Sequence, residues 1–272
     1  MPSGTDHRAS ERARPLPGVV AAVPARYAST RLPGKPLLEI AGRPMIEHVV
    51  RRAEEAGVFE RVVVLTDDQR IADAVEAFGG HVEMTPADCA SGTDRIAHAA
   101  RAWSDAHVIV NVQGDEPLVD PSALARVARA LVDDPQLAMA TLAAPLDRSE
   151  HERPSTVKVV CDLAGDALYF SRAPIPHARD GWPAADDGSS SPTARGPLQH
   201  VGVYSYRRDI LLRLAALEPT PLERLESLEQ LRALENGIGI RVLRLARPAA
   251  PGVDTPDDLE RVAERLARAD SA

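Results

Sequence analysis

The segment Val112-Gln113-Gly114-Asp115-Glu116-Pro117 sets a carboxylate directly after the apolar run Val108-Ile109-Val110. Strands of parallel sheets deliver functional groups at their carboxyl ends, so an acid there is placed for chemistry. Gly114 before it reads as a point where a ligand comes close. A second such acid stands far along the chain, in Gly252-Val253-Asp254-Thr255-Pro256-Asp257. Near the start, the loop Pro24 to Pro36 supplies Arg26, Arg31, Lys35 and Gly34 after another apolar run. Arg gives forked, charge-assisted hydrogen bonds and backbone N–H groups give directional ones, so this loop can wrap a polyphosphate. Bare carboxylates beside a triphosphate would repel it. Unit charges about 4 Å apart cost about 4 kcal/mol at an effective dielectric of about 20. A divalent cation reverses that sign, and magnesium takes one or two carboxylates together with phosphate oxygens. Asp115 and Asp254 therefore read as a magnesium pair, for chemistry on a metal-bound polyphosphate.

Two further groups could bind the rest of a substrate. Ser91-Gly92-Thr93-Asp94-Arg95 precedes an apolar-periodic helix. Ser91 or Thr93 could simply cap that helix, yet glycine-bearing helix starts also bind nucleotide groups. Gln199-His200-Val201-Gly202-Val203-Tyr204, with Glu229-Gln230, offers mixed donors and acceptors suited to a polyhydroxylated ligand. His200 and Tyr204 share strand parity and face one side; a half-buried structural pair is the plainer alternative. Common nucleotide loops are excluded. Gly34-Lys35 is followed by Pro36, so there is no Walker sequence, and Gly237-Ile238-Gly239 leads into a strand instead of following one.

The elements that must position these groups follow from periodicity. Val19 to Val23 and Val62 to Leu65 are continuous apolar runs, as expected of strands covered on both faces. Helices are expected over 45–56, stopped by Gly57, over a segment ending at Ala77, over 94–103, and from Pro121 behind an Asp120 cap. Strands at 81–84 and 107–112 complete a β-α-β-α rhythm. That rhythm predicts an α/β fold with a Rossmann-like, mostly parallel sheet and helices on both faces. After residue 136 the rhythm changes. Strands at 137–145, 156–162, 166–170 and 199–206 suggest a smaller inserted, partly antiparallel sheet. Residues 180–197 read as a mobile loop. Helices are expected at 208–217, 222–235 and 256–268, with a strand at 240–245. Thr220-Pro221-Leu222-Glu223 is a capping box, and Leu222, Leu225, Leu228, Leu231 and Leu234 read as core.

Composition bounds the partners. The 272 residues suit one domain, 18–272, behind a disordered tail, 1–17, with a subdomain at about 137–206. A net charge of −8 argues against nucleic acid. No apolar run approaches the roughly 18 residues of a membrane span. The tail has no apolar signal core, and Cys89 and Cys161 form no metal-binding pattern. A cytoplasmic protein is expected.

Together these segments resemble the 3-deoxy-manno-octulosonate cytidylyltransferase family, the CMP-KDO synthetases. The likeness runs from about residue 18 to the last helix. It rests on Pro24-Ala25-Arg26 through Leu37, Ser91-Gly92-Thr93, Val112 through Pro117, Val157 through Val160, Tyr169 through Arg172, His200 through Tyr204, Leu228 through Arg232, and Val253 through Pro256. The resemblance implies a nucleotide-diphospho-sugar transferase-like fold. It implies CTP and KDO as substrates, magnesium as cofactor and a homodimer joined through residues 155–205. It sets Arg26, Arg31 and Lys35 on the triphosphate, with Ala25, Ser91 and Gly92 near the cytidine. Asp115 and Asp254 would hold the metal. Gln113, Arg172, Arg179, His200, Tyr204, Glu229 and Gln230 would line the sugar pocket. His177 stands where the family usually has an aromatic residue, and Asp94 where Glu is common. The alternatives are a sister enzyme for amino-KDO or sialic acid, or a silent sugar-nucleotide-binding protein.

Overall fold

The computed structural model describes residues 14–28, 32–182 and 196–269. The chain opens with β1 (Val19–Ala25), buried along all but Pro24. A small hairpin of β2 (Glu39–Ile40) and β3 (Arg43–Pro44) leads into α1 (Met45–Glu55). The α1 face that carries Met45, Ile46, Val49, Val50 and Ala53 is buried, as its helical spacing requires. Gly57, at φ 66°, turns the chain after it. The alternation continues through β4 (Arg61–Thr66), α2 (Gln69–Ala77), β5 (His81–Met84), α3 (Gly92–Ala100) and β6 (Val108–Asn111). Asp120 caps α4 (Pro121–Asp133), its carboxylate accepting the Ser122 N–H at 2.8 Å.

Then come β7 (Met139–Pro145), β8 (Lys158–Cys161), β9 (Ala167–Ser171) and β10 (Leu198–Arg207). The chain closes with α5 (Arg208–Ala215), α6 (Pro221–Glu226), α7 (Gln230–Glu235), β11 (Ile240–Arg244) and α8 (Pro256–Ala269).

The described residues form one nine-stranded sheet with the order β11-β7-β10-β6-β1-β4-β5 along its main path. β6, β1, β4 and β5 run parallel, as do β11 and β7, while β10 is antiparallel to both its neighbours. Within 137–206, β7 and β10 are threaded into this sheet. β8 and β9 form an antiparallel arm joined to the start of β10. Side-chain alternation along β1 feeds two cores. Val19, Ala21 and Val23 pack with α1 and α4, and Val20 and Ala22 pack with α3 and α5. No helix among the described residues is long and apolar enough to cross a membrane.

Three expectations change. The expected tail is docked at its end: the Leu16 N–H donates to Val58 O at 2.8 Å, and Leu16 packs on the core. The helix expected at 94–103 is α3, which starts at its Ser91 cap and ends at Ala100; Trp103 packs beyond its end. The single helix expected over 222–235 is two, broken at Ser227, whose φ 53° and ψ 50° are left-handed. Leucines three apart drift by roughly 60° per step at about 3.6 residues per turn. Five of them cannot share one helix face. The break turns Leu228 and Leu231 into the core and leaves Leu225 81% exposed. The expected loop 180–197 falls largely outside the described residues.

Candidate active site

The two distant aspartates meet. After β6 the chain continues through Val112, whose N–H donates to Ala22 O at 3.0 Å, and turns at Gln113–Glu116. Gly114 is required for packing: a Cβ there would lie 2.9 Å from the Pro24 carbonyl oxygen. The room it makes serves the neighbouring strand, and Gly114 also lines the cavity described below, where its position suggests a ligand comes close. Asp254 arrives on the segment after β11. Val253, fully buried with Ile40, Met45 and Val262, donates its N–H to Asp115 O at 2.9 Å. The Asp254 and Thr255 N–H groups donate to the Asp258 carboxylate, which fixes the turn into α8.

Lys35 joins the acids. Gly34, at φ 68°, donates its N–H to Tyr27 O at 3.0 Å and lies under the Tyr27 ring, so the loop folds back before Lys35. The Lys35 Nζ is 2.6 Å from Asp115 Oδ2 and 3.0 Å from Asp254 Oδ1. The two acceptor oxygens are thus within about 5.6 Å, the sum of those bonds. The aspartate side chains are 39% and 51% exposed. Ion pairs this exposed are worth roughly 0–1 kcal/mol each, so a ligand can exchange them. The pair also fits a hard divalent cation, since two open carboxylates beside one cationic point leave room for oxygens of a substrate and water. No group of three potential metal-binding side chains occurs among the described residues. Beside Asp115, burial first and the Asp115 charge second raise Glu116 to about 8.

A cavity of about 450 Å³ opens above these groups and is lined by Ala25, Arg26, Lys35, Ser91, Gly92, Gln113, Asp115 and Asp254. The structure therefore gathers the expected phosphate and nucleotide residues, except Arg31, which lies outside the described residues. Arg26 Nη2 donates to Cys89 O at 2.5 Å, tying the basic loop to the segment before α3. Ser91 caps α3: its Oγ accepts the Asp94 N–H and the Asp94 carboxylate accepts the Ser91 N–H, both at 3.0 Å. The N-terminal end of α3, with its inherent affinity for anions, borders the cavity through Gly92.

A second wall runs from Gln113 to Glu229. Gln113 Nε2 donates to Gly202 O at 3.1 Å. β10 carries two extra residues between Val201 and Tyr204 relative to β7, and an insertion of two preserves parity. The His200 and Tyr204 rings consequently share a side, with centroids 5.3 Å apart. His200 Nε2 meets Thr141 Oγ1 at 3.1 Å and Phe170 stands edge-on at 5.1 Å. Burial pushes the His200 pKa down to about 3, which keeps the ring neutral. Burial, with the Tyr206 and Glu229 charges behind it, raises Tyr204 well above its ordinary value. Glu229 accepts from Thr93 Oγ1 at 2.8 Å and from Ser91 Oγ at 3.2 Å. Burial raises its pKa. Gln230 Nε2 is buried without a hydrogen-bond partner among the described residues.

Two expected sugar residues stand apart. The Arg172 guanidinium donates to the backbone carbonyls of Glu226, Pro154 and Ser227. Arg179 and His177 are exposed on the segment after β9. Sequence reasoning passed over Thr141 and Glu226, and it gave Lys158 no role of its own. Lys158 left a signal, a cation between Val157 and Val159 in an apolar strand; the others carry none that spacing could expose.

The cytidylyltransferase family model matches residues 20–241. The 3-deoxy-manno-octulosonate cytidylyltransferase of Syntrophotalea carbinolica is 54% identical, over 91% of this chain and 98% of its own. That of Geobacter metallireducens is 51% identical, over 92% and 98%. A solved structure of CMP:2-keto-3-deoxy-manno-octonic acid synthetase complexed with CTP is 44% identical and aligns with a TM-score of 0.84, covering 92% of this chain and 98% of that one.

Proposed function

Because the chain belongs to the 3-deoxy-manno-octulosonate cytidylyltransferase family, we propose that it transfers CMP from CTP to the anomeric hydroxyl of KDO, giving CMP-KDO and pyrophosphate. The observation that carries this reading is the meeting of Asp115 and Asp254 on Lys35, beside a cavity that also reaches Ser91 and Gly92.

CTP occupies that cavity, with its cytidine toward Ala25, Ser91 and Gly92 and its triphosphate toward Arg26 and Lys35; the family resemblance adds Arg31 to the triphosphate contacts. Asp115 and Asp254 would hold magnesium, which would supply positive charge to the phosphate oxygens and lower the pKa of the attacking hydroxyl. The acidic sugar lies against Gln113, His200, Tyr204, Glu229 and Gln230. The new bond joins the anomeric oxygen to the α-phosphorus, the bond to the β-phosphate oxygen breaks in line, and the hydroxyl proton goes to solvent. Lys35 and Arg26 face the pyrophosphate as its charge develops. The side chains thus contribute position and charge, which are the main levers for phosphoryl chemistry. A neutral His200 serves as a hydrogen-bond partner for the sugar and adds no charge to a site already rich in ions.

The product supplies lipopolysaccharide or a related glycan, and the enzyme acts in the cytoplasm as a homodimer joined through the region of the β8–β9 arm. Pyrophosphate release tests the chemistry. The full chain with CTP, magnesium and a panel of acidic sugars should turn over KDO fastest and yield equal CMP-KDO and pyrophosphate. Turnover confined to sialic acid or amino-KDO would refute the substrate assignment. Light scattering on the eluted protein tests the dimer, and a monomer mass would remove it.

A further inference from the structure

Every polar atom of Arg172 is bound by protein. Its N–H donates to Glu226 Oε2 at 2.9 Å and its carbonyl accepts from Lys158 Nζ at 2.6 Å. Its guanidinium donates to Glu226 O at 2.8 Å, Pro154 O at 3.1 Å and Ser227 O at 3.4 Å. The Glu226 carboxylate also accepts from Ser171 Oγ at 2.5 Å. Lys158, fully buried, donates to Arg153 O and Thr156 O as well. These bonds knot three segments: the end of β9, the start of β8 and the end of α6.

The knot stands behind both halves of the sugar wall. On one side the left-handed Ser227 follows Glu226 directly, and Glu229 and Gln230 come next. A residue with a Cβ resists that backbone conformation, so something must hold it; the Arg172 bonds to the carbonyls of Glu226 and Ser227 do so. On the other side Val157 O, between Thr156 and Lys158, accepts the His200 N–H at 2.9 Å. Burial acts to raise the Glu226 carboxyl, but the bonds from Ser171, Arg172 and Tyr169 outweigh it and hold its pKa below the usual value.

We propose that Glu226 is a positioning residue for sugar recognition: through Arg172 and the Ser227 turn it sets where Glu229, Gln230 and His200 stand. The inference rests on the proposed sugar site and adds a residue that does not touch the sugar. Steady-state kinetics on Glu226→Ala and Glu226→Gln test it. The Ala variant should raise KM for KDO about tenfold with KM for CTP within about twofold, the scale of a lost hydrogen bond to a charged group. The Gln variant should recover part of that loss, since its amide oxygen can still accept. In a Glu229→Gln background, Glu226→Ala should add little further, because the two act in series. A lowered melting temperature with the ratio of the two KM values unchanged would overturn the proposal, as would full additivity with Glu229→Gln. If the Ala variant does not fold, the Gln variant decides by the same ratio. Wild-type protein that turns over no acidic sugar would strike down the function itself, whereas an active wild type with unchanged ratios strikes down the positioning role.

Discussion

The proposed phosphate end and the proposed sugar wall of this site are built on opposite principles. At the phosphate end the groups are charged and open: Asp115 and Asp254 share Lys35, and the acids are 39% and 51% exposed. Along the sugar wall they are enclosed, and burial shifts the pKa values of His200, Tyr204 and Glu229 toward their neutral forms. The difference suits what each end is proposed to meet. Exposed ion pairs are cheap to exchange, which suits a triphosphate and its metal. A buried polar network is costly to leave unsatisfied, which suits recognition of one set of hydroxyls.

The sharpest break in this comparison is removal of an acid. Asp115→Asn or Asp254→Asn should lower kcat/KM by about a thousandfold, the upper range for loss of one preorganised electrostatic group, with the circular dichroism unchanged. Near-normal turnover in both would end the metal role. A smaller effect should mark the sugar wall. His200→Ala should raise KM for KDO by about tenfold, the size expected for one lost hydrogen bond, and KM for CTP should move less. Equal shifts would show that the two ends are not separable.

Acid should separate them further. His200 has a folded pKa near 3, below the unfolded value of about 6.5. Below pH 6.5 the unfolded chain takes up a proton there and the folded chain does not, so stability falls as pH drops toward 3, by up to about 1.4 kcal/mol per pH unit. Urea unfolding of wild type and His200→Asn between pH 6.5 and 4.5 checks this, and parallel slopes would contradict the enclosed imidazole. The smallest effect belongs to an exposed leucine on the support of the wall. Leu225→Ser should change stability by no more than about 0.5 kcal/mol, whereas Leu228→Ala should cost about 2–4 kcal/mol. Similar costs would restore the unbroken helix and loosen the placement of Glu229.

The legibility of the chain divides along the same line. β1, β4 and α1 were readable because their apolar runs and spacings are local. The strand-end acids and the basic loop were readable because charge directly after a buried strand is a local signal, and so was the helix start at Thr220-Pro221, where the Glu223 carboxylate accepts the Thr220 N–H. The break at Ser227 was not readable. The Ser227 carbonyl there accepts from Arg172, 55 positions away, a bond that periodicity cannot register. The docking of Leu16 depends in the same way on Val58 O, and Gly114 serves a carbonyl on another strand.

By itself the sequence determined the α/β alternation, the strand-end acids and the basic loop, because burial pattern and charge are properties of short segments. The tertiary structure alone decided that Asp115 and Asp254 stand on either side of one ammonium and that Arg172 turns to backbone instead of to the cavity. The reason is that hydrogen bonds and buried volume are satisfied between segments, and no segment carries a record of its partner.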